Sequence, residues 1–414
     1  MLIRSDPPLH LTYCLNIHPG ESWAENFAAI RRHTLRVRDA VSPGAPFGLG
    51  LRLSYRAAST LREGAALAEF KASLADNDLY VFTINGFPYG TFHGTEVKQN
   101  VYSPDWRTPE RRDYTLGLID ILAALLPEGV SGSISTVPGA YGTCVRGPED
   151  VEAICCMLAE TAAHAAAALR ETQRDICIAL EPEPDCFIEN TDEAVRFFTE
   201  TLPDSVPAAA QDLGASEAEA RRIVGHHLGL CLDTAHAAVQ FERPSQSLRR
   251  LRSANIRIGK IQLSSALRLR PVPGALERLG DFADPVYLHQ ARLRSGAGDM
   301  RHFGDLAEAI AAARESAETD AELRVHFHVP LFFTEAGGLE STGSLLDDEF
   351  WRLVTGADAP GGSPTEQLEI ETYTFDVLPD DLRSADVVES IVREYEWVLE
   401  RCRPAGRRGP AAEG

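Results

Sequence analysis

Short strand-like runs alternate with helical patterns along the whole 414-residue chain, and this alternation predicts an α/β fold in which helices cover a parallel sheet. Eight strand candidates can be counted, which is the number that closes a (β/α)₈ TIM barrel. The length is compatible, because such barrels can exceed roughly 400 residues when their loops carry insertions. Acidic and amide side chains end several candidate strands, at the rim where barrel enzymes keep their active sites.

Each predicted strand is a short apolar run bounded by turn residues. In chain order the eight are Leu11–His18, Gly48–Ser54, Leu79–Asn85, Gly132–Val137, Ile176–Glu181, Leu228–Asp233, Ile256–Ser264 and Leu368–Phe375. Helices are expected between them, and two helix starts have capping-box spacing, Asn190 with Glu193 and Ser216 with Glu219. The alanine-rich run Val151–Arg170 predicts one long helix.

The stretch Ala266–Gln367 does not fit an eightfold count, and it is too long for a loop without secondary structure. Its periodicity predicts a helix near Asp305–Ser316, a strand in Arg324–Phe333 and a helix near Leu345–Val354. We expect an ordered insertion between strands seven and eight, within one domain of residues 1–402, that covers the barrel mouth as a lid. A competing count makes Arg324–Phe333 a barrel strand. The tail Arg403–Gly414 has no apolar period and is predicted to be disordered.

Composition restricts the class of partner. The formal net charge of −21 at pH 7 disfavours nucleic acid, because Lys and Arg must neutralise its phosphates. No apolar stretch reaches the roughly 20 residues that span a bilayer, and the N-terminus lacks the apolar centre of a signal peptide. Eight cysteines occur without a Cys-x-x-Cys pair, as expected of reduced, packed thiols. We expect a cytoplasmic protein that binds a small-molecule metabolite and neither nucleic acid nor membrane.

The strand ends predict a metal site. Side chains alternate between the two faces of a strand, so the small residues before Glu181 share its face and the branched residues share the other. The same parity places Asp233, Gln262 and Glu371 on the inward face of their strands. Three carboxylates and one amide suit Mg²⁺ or Mn²⁺, and Zn²⁺ would gain if a histidine joined them. The alternative for each residue alone is a helix N-cap or a solvated charge at the rim.

Three further charged positions belong to the same strands. Glu183 has the parity of the first ligand, but the prolines on either side lack N–H donors and end the strand, so we place it outside the ligand set. Lys260 and Glu369 each precede an expected ligand by two residues. Both should therefore point inward and form a buried ion pair one layer below the cation.

The motifs that hold these residues are Ala-Leu-Glu181-Pro, Leu-Asp233-Thr-Ala-His236, Lys-Ile-Gln262 and Glu-Ile-Glu371. In order and strand spacing they resemble the successive metal-ligand motifs of the xylose-isomerase-like superfamily. The hydroxypyruvate-isomerase branch is similar in kind, because it too has a glutamine at the third position. The resemblance implies that Glu181 and Glu371 are both metal ligands and proton carriers.

Nearly the whole chain also resembles the EboE family of metabolite-traffic proteins, including Tyr-Leu-His289-Gln and Val-His326-Phe-His328-Val-Pro in the long insertion. Members of that family are encoded in a small bacterial gene cluster implicated in moving precursor metabolites. The resemblance implies partners from the same cluster and no particular reaction.

Five other residues are candidates for the pocket. His236, shortly after its strand, could act as an acid or base or pack at the rim, depending on whether the chain turns there. Arg268 resembles the arginine that holds a substrate hydroxyl or carboxylate in related barrels, with an ordinary surface arginine as the alternative. His18 at the end of strand one, and His328 and His289 in the insertion, are further candidates for substrate binding.

Two functions are compatible with these features, and fold alone does not decide between them. In an isomerase or epimerase, the cation would hold adjacent carbonyl and hydroxyl oxygens while Glu181 and Glu371 remove and return a carbon-bound proton. No phosphate-binding glycine loop is evident, so the substrate would be an unphosphorylated polyol, sugar or hydroxy-keto acid. The second possibility is a metabolite carrier on the same fold. A zinc-dependent endonuclease is disfavoured by the acidic charge and the few histidines at metal-ligand spacing.

Overall fold

Eight parallel strands form a barrel that closes almost completely. The protein is seen in a computed structural model that describes residues 1–92, 98–212, 214–283, 286–315, 320–357, 362–380 and 382–403. The fifteen strands of this part of the chain are β1 (Leu2–Ser5), β2 (Pro8–Tyr13), β3 (Phe47–Arg52), β4 (Leu79–Asn85), β5 (Gly132–Thr136), β6 (Ile176–Leu180), β7 (Leu228–Asp233), β8 (Ile258–Leu263), β9 (Ser265–Leu269), β10 (Ala291–Arg294), β11 (Met300–Phe303), β12 (Glu322–Val329), β13 (Glu335–Ala336), β14 (Leu339–Ser341) and β15 (Gln367–Ile370). The barrel order is β2-β15-β8-β7-β6-β5-β4-β3, with β1 antiparallel at one edge. A parallel bridge between Cys14 and Gly50 joins the end of β2 to β3, and the predicted TIM barrel is confirmed.

Helices cover the outside of the barrel. The α-helices in the described residues are α1 (Trp23–Ala29), α2 (Leu35–Val41), α3 (Tyr55–Leu61), α4 (Gly64–Asp76), α5 (Pro109–Leu125), α6 (Pro148–Thr172), α7 (Thr191–Arg196), α8 (Leu202–Asp212), α9 (Glu217–His227), α10 (Thr234–Val239), α11 (Pro244–Ser253), α12 (Pro273–Leu279), α13 (Leu306–Glu315), α14 (Asp348–Val354) and α15 (Val387–Cys402). The π-helical turns are Ile30–Thr34 and Phe197–Thr201, and the 3₁₀ turns are Leu15–Ile17, Lys98–Tyr102, Gly142–Cys144, Gly280–Phe282, Thr342–Leu345 and Phe375–Val377. The side chains of Asn190 and Ser216 accept hydrogen bonds from the N–H groups of Glu193 and Glu219, as their spacing predicted.

The eight predicted strands coincide with the eight barrel strands, although the first and last were predicted too long. Strand one ends at Tyr13 and is followed by the 3₁₀ turn Leu15–Ile17, and strand eight ends at Ile370. The three residues of that turn are all buried. The apolar pattern therefore continues past the strand because the chain turns inside the rim before it reaches solvent.

The long helix α6 belongs to the core. By length and composition alone this 25-residue helix could cross a membrane, but half of its most apolar 18-residue window is buried. Ile154, Leu158 and Ala162 are fully buried within the main hydrophobic core. Its apolar side therefore packs against the barrel. All eight cysteines are free thiols, in agreement with the sequence.

The insertion between β8 and β15 forms a second layer. Strands β9 to β14 make an antiparallel sheet in the order β11-β10-β12-β9-β14-β13, and Leu267, Leu323 and Phe327 lie in a separate apolar core. Ala266 packs against Ala235 and Val239 of α10, at the carboxyl end of the barrel. Because β12 pairs with β9 and β10, the competing count that made it a barrel strand is wrong. Of the tail predicted to be disordered, residues 404–414 lie outside the described residues.

Lys260 and Glu369 form the predicted buried ion pair. The Lys260 Nζ atom lies 2.5 Å from Oε2 of Glu369, and neither side chain has any solvent exposure. The two residues come from the adjacent strands β8 and β15, which pair in parallel. The pair therefore fixes the relative register of β8, which carries Gln262, and β15, which Glu371 directly follows.

We expect Lys260→Met to lower the free energy of unfolding by about 3–5 kcal/mol, because it leaves the Glu369 carboxylate buried without a partner. The double variant Lys260→Met/Glu369→Leu should recover most of this loss, since it removes both charges and keeps apolar volume. Urea unfolding of the three proteins measures both effects. Equal stability of the single and double variants would contradict a mutual charge pairing.

Glu394 of α15 joins two parts of the rim. Its Oε1 accepts hydrogen bonds from the backbone N–H of Leu331, after β12, at 3.0 Å and from the hydroxyl of Thr372, after β15, at 2.7 Å. Burial raises the pKa of Glu394 from 4.5 to about 7. Between these two pH values the folded protein keeps a proton that the unfolded chain has lost, so stability falls as the pH rises through this window.

We expect Glu394→Gln to be more stable than the wild type near pH 8, by up to about 3 kcal/mol, because the amide accepts the same bonds and cannot ionise. The difference should shrink as the pH falls and vanish below about pH 4.5. Urea unfolding as a function of pH measures it, with Glu396→Gln on the exposed side of the same helix as the control. A stability gap that does not change with pH would exclude a raised Glu394 pKa as its cause.

Candidate functional site

A small cavity of about 60 Å³, partly open to solvent, lies between the carboxyl ends of the barrel strands and the insertion. Its acidic and imidazole side chains are Glu181, Glu183, His236, His326, His328 and Glu371, and its other lining residues are Asn16, Asn85, Phe87, Pro88, Phe92, Lys98, Val101, Tyr102, Tyr287, Leu288 and Tyr373. The barrel thus supplies the carboxylates, and the insertion supplies two of the imidazoles together with part of the aromatic wall.

Asp233 ends strand β7 and uses its two oxygens differently. Its Oδ1 caps helix α10 by accepting the N–H groups of Ala235 at 2.7 Å and His236 at 3.0 Å, and it also accepts the Ser264 hydroxyl at 2.7 Å. Its Oδ2 is buried and has no hydrogen-bond partner among the described residues. Asp233 therefore caps a helix through Oδ1 and still has Oδ2 available to a metal ion, so the N-cap and the predicted ligand role are compatible.

Glu371 lies one residue beyond β15 and is held in the same way. Its Oε1 accepts hydrogen bonds from the side-chain amides of Asn16 at 2.8 Å and Asn85 at 3.3 Å. Its Oε2, like Oε2 of Glu181, is buried without a hydrogen-bond partner in the described part of the chain. Such orphaned oxygens are costly in an apolar interior unless a cation or a proton satisfies them.

The carboxylates at the rim strongly affect one another. Burial, together with repulsion from Asp233, raises the pKa of Glu181 well above its ordinary value, and burial and repulsion from Glu181 do the same for Glu371. Burial opposes ionisation of Asp233 as well, but the neighbouring imidazoles and the Ser264 hydroxyl bring its pKa below the usual value. Without a cation, protons must therefore sit on part of this group.

The residues fit a divalent cation. Ligand atoms of Glu181, Asp233 and His236 lie within 4.8 Å of one another, and all three residues are buried. Glu181 and Asp233 each have one carboxylate oxygen without a hydrogen-bond partner among the described residues, the kind of donor that Mg²⁺ and Mn²⁺ prefer. Glu371 has a third such oxygen but is not one of the three residues of this group, so its ligand role stays a prediction. The adjacent imidazole makes Zn²⁺ compatible with the same position.

Gln262, the fourth expected ligand, adjoins this group but does not line the cavity. It pairs with Asp233 across β7 and β8, and its Oε1 accepts the Cys231 thiol at 2.8 Å. Its Nε2 has no partner in the described residues. A half-turn of the amide would exchange the two atoms, and the ligand role of Gln262 stays a prediction.

Glu183 was excluded from the predicted set, yet the structure places it on the cavity wall. The prolines end the strand as expected, but the following turn keeps the carboxylate at the rim, where its Oε1 accepts the Tyr102 hydroxyl at 2.8 Å. Burial raises the pKa of Glu183 to about 8. His326, whose Nδ1 lies 3.6 Å from the same oxygen, was also not predicted as a site residue. The same-face spacing of His326 and His328 was the available indication.

The structure places three of the predicted substrate-binding residues elsewhere. Arg268 lies between two core leucines of β9, so it faces outward, and it pairs with Glu340 at 2.7 Å. His18 follows the 3₁₀ turn that comes after strand one. Its Nε2 lies 3.0 Å from the Tyr13 hydroxyl, and its ring stacks on His33, outside the cavity. His289 stacks on Phe327 within the insertion. None of the three lines the cavity.

His236 and His328, by contrast, line the cavity. The chain turns at the N-cap of α10 instead of continuing as a strand, and this turn brings His236 back to within 4.0 Å of Asp233 and of Glu181. The Nδ1 of His328 lies 2.9 Å from the backbone oxygen of Glu371. Both histidines therefore lie at the cavity, and their roles in catalysis and substrate binding stay predictions.

Substitution of Asp233 should separate its two roles. Asparagine caps helices well, so Asp233→Asn should change the unfolding free energy by less than about 1 kcal/mol, whereas Asp233→Ala should lose about 1–2 kcal/mol. Both variants should bind Mn²⁺ more weakly than the wild type, as titration calorimetry would show. Unchanged Mn²⁺ affinity in Asp233→Asn would remove Oδ2 from the ligand set.

No protein-family model matches the sequence, and no curated protein matches it. Among solved structures, the chain is similar to the probable 3-DHS dehydratase AsbF involved in petrobactin synthesis from Bacillus anthracis, with a TM-score of 0.42, 11% identity and coverage of 94% of this chain and 98% of that one. It is also similar to a xylose isomerase-like TIM barrel protein from Mycobacterium smegmatis in complex with magnesium, with a TM-score of 0.44, 12% identity and coverage of 95% and 96%. A third structure is the IolI protein with a bound zinc atom, with a TM-score of 0.42, 11% identity and coverage of 95% and 98%. The resemblance of the chain to the EboE family stays a prediction.

Proposed function

We propose that the protein is a metal-dependent isomerase or epimerase that acts on an unphosphorylated hydroxy-carbonyl compound. The observation that carries this proposal is the set of buried carboxylate oxygens without a hydrogen-bond partner in the described residues, on Glu181 and Glu371, which line the cavity, and on Asp233, which adjoins Glu181 and His236. Such an arrangement is costly unless a cation or a proton satisfies the oxygens, and it combines metal donors with potential bases.

Glu181, Asp233 and Glu371 would hold the cation, with Gln262 as a further donor after rotation of its amide. Mg²⁺ or Mn²⁺ suits these oxygens, and Zn²⁺ is compatible if His236 takes part. When bound, the cation would act as a Lewis acid that stabilises negative charge on a substrate oxygen.

Glu181 and Glu371 would move the proton. They reach the cavity from the ends of β6 and β15, which are not adjacent strands, and each ends in a carboxylate that can accept a proton. The amides of Asn16 and Asn85 hold one oxygen of Glu371, so the other is presented in a fixed orientation. Two bases on different strands could remove and return a carbon-bound proton on the same or on opposite faces of the carbon.

The remaining lining residues favour an uncharged substrate. Among the described residues that line the cavity, Lys98 is the only Lys or Arg, and its Nζ is paired with Asp305 at 2.6 Å. A phosphate or carboxylate group would therefore lack a cationic side chain to pair with. A sugar or polyol derivative fits this wall better than a hydroxy-keto acid, and the metabolite would be the protein's main partner.

Removal of basicity separates an enzyme from a carrier. Glu181→Gln and Glu371→Gln keep a carbonyl donor but cannot accept the proton, so each should lose a factor of about 10²–10⁴ in turnover while affinity for the metabolite persists. The measurement is deuterium incorporation from D₂O into a panel of unphosphorylated aldoses and ketoses, with the Mn²⁺-loaded protein and NMR detection. Glu340→Gln, which alters the partner of Arg268 outside the cavity, is the matched control.

Wild-type protein that binds Mn²⁺ and one of these sugars but incorporates no deuterium would overturn the enzyme proposal. The same fold would then be a metabolite carrier, as the resemblance to traffic proteins implies, and the glutamine variants would show weaker metal binding only.

A further inference from the structure

Three histidines beside the carboxylates come from two different layers of the fold. His236 lies in the first turn of α10, after the barrel strand β7, whereas His326 and His328 lie on β12 of the insertion. The pairing of β12 with β9 shifts register between Val325 and His328, which marks a β-bulge at this point. Both imidazoles line the cavity, while Phe327 between them is buried in the core of the insertion.

Each of the three imidazoles is anchored through Nδ1 to an oxygen. The partners are the backbone oxygen of Pro182 for His236 at 3.0 Å, the side-chain oxygen of Gln290 for His326 at 2.8 Å, and the backbone oxygen of Glu371 for His328 at 2.9 Å. A carbonyl oxygen only accepts hydrogen bonds, so each Nδ1 carries the proton and donates it. The Nε2 lone pair of each neutral ring is therefore left for another partner.

The orientation of the Gln290 amide is fixed independently. Its Nε2 lies 3.1 Å from the backbone oxygen of Pro184, which can only accept, and 2.9 Å from the Tyr102 hydroxyl. The amide nitrogen must therefore face Pro184, and the amide oxygen must face His326. The tautomer of His326 follows from a chain of contacts that ends at a backbone carbonyl.

The Nε2 atoms of His326 and His328 are buried and have no hydrogen-bond partner among the residues that the structure describes. The two residues are only 4% and 1% exposed. A ligand atom from each of the three histidines lies within 4.8 Å of the other two.

We propose that His236, His326 and His328 form a second cation site, distinct from the carboxylate site, that binds a transition-metal ion such as Zn²⁺ or Co²⁺. The Nε2 atoms of His326 and His328 are buried without a hydrogen-bond donor in the described part of the chain, and one cation would satisfy both while it also binds the adjacent His236. Imidazole favours Zn²⁺ and Co²⁺ over Mg²⁺, whereas the carboxylates favour Mg²⁺ and Mn²⁺. With metal–nitrogen bonds of about 2.0–2.1 Å, three ligands and one open position would make a tetrahedral site.

The two sites meet at Asp233. Its Oδ2, which has no hydrogen-bond partner in the described chain, lies 4.0 Å from the Nε2 of His236 and belongs to the carboxylate group as well. A carboxylate at this position could bridge two cations. This inference goes beyond the proposed function, because proton transfer by Glu181 and Glu371 needs a single cation.

The first test uses the wild-type protein. X-ray absorption at the zinc edge, on metal-free protein reloaded with one equivalent of Zn²⁺ in excess Mg²⁺, should show nitrogen ligands with imidazole scattering. Metal analysis after dialysis should find Zn²⁺ and Mn²⁺ bound together when both are supplied. A zinc spectrum with oxygen ligands only would overturn the proposal without any variant.

The second test uses Co²⁺, whose visible absorption is strong in tetrahedral nitrogen sites and weak in octahedral oxygen sites. His326→Gln/His328→Gln should lose the strong absorption and bind one cation fewer than the wild type. His289→Gln replaces a buried histidine of the same insertion outside the cavity, and it should keep the signal. Thermal unfolding of the metal-free variants checks that each is folded.

A third variant separates this proposal from the proposed function. Glu181→Gln/Glu371→Gln impairs the carboxylate site and removes the bases, but it should still bind one Co²⁺ with the strong absorption. Two results would contradict a separate histidine site. One is loss of the strong Co²⁺ absorption in Glu181→Gln/Glu371→Gln, and the other is persistence of that absorption in His326→Gln/His328→Gln. Absence of deuterium exchange by the wild type would leave the histidine site unaffected.

Discussion

The register between the seventh and eighth barrel strands is the constraint on which the whole rim depends. Glu369 pairs with Gln262 across β15 and β8, and the ammonium of Lys260 reaches the Glu369 carboxylate. A slip by one residue would turn these side chains outward and place their apolar neighbours inside the barrel. The slip would also separate two buried opposite charges, which costs several kcal/mol. One ion pair in the interior therefore specifies where Glu371 emerges at the rim.

Above the Lys260–Glu369 ion pair, Asp233 and Glu371 each use their two carboxylate oxygens differently. Asp233 and Glu371 each have one oxygen engaged by the protein, through the α10 cap in the first case and through the amides of Asn16 and Asn85 in the second. The second oxygen of each is left without a hydrogen bond in the described part of the chain. Neutral donors thus orient the acids without neutralising them, and the repulsion among the acids favours a cation.

Most of the barrel could be predicted from the sequence, because strand parity is a local property. The runs that end at Glu181 and Asp233 alternate small and branched residues, and each lies in the barrel as its pattern indicated. The errors occur where the chain leaves the barrel strands. His18 follows a buried 3₁₀ turn that continues the apolar pattern, and the outward face of Arg268 depends on an antiparallel sheet whose pairing the sequence does not reveal.

The site residues divide in the same way, into those that lie on barrel strands and those that lie beyond them. Carboxylates on barrel strands were found by parity, whereas Glu183 and His326 reach the cavity through a turn after a proline and through a β-bulge. Glu183 keeps the parity of Glu181 but lies beyond the end of its strand, and the face of His326 depends on how β12 pairs within the insertion. Gln262 shows the limit of parity in another way, because it lies on the correct face but its amide orientation depends on the neighbouring Cys231 thiol.

The insertion has an apolar core of its own, yet it contributes His326 and His328 to a cavity whose acids belong to the barrel. A ligand that contacts both layers therefore stabilises their association, because its binding free energy adds to that of docking the insertion against α10. Occupancy of the cavity and the local stability of the insertion that forms its outer wall are thermodynamically linked, so an increase in one increases the other. The outer layer can thus report, through its own local stability, whether the cavity is filled.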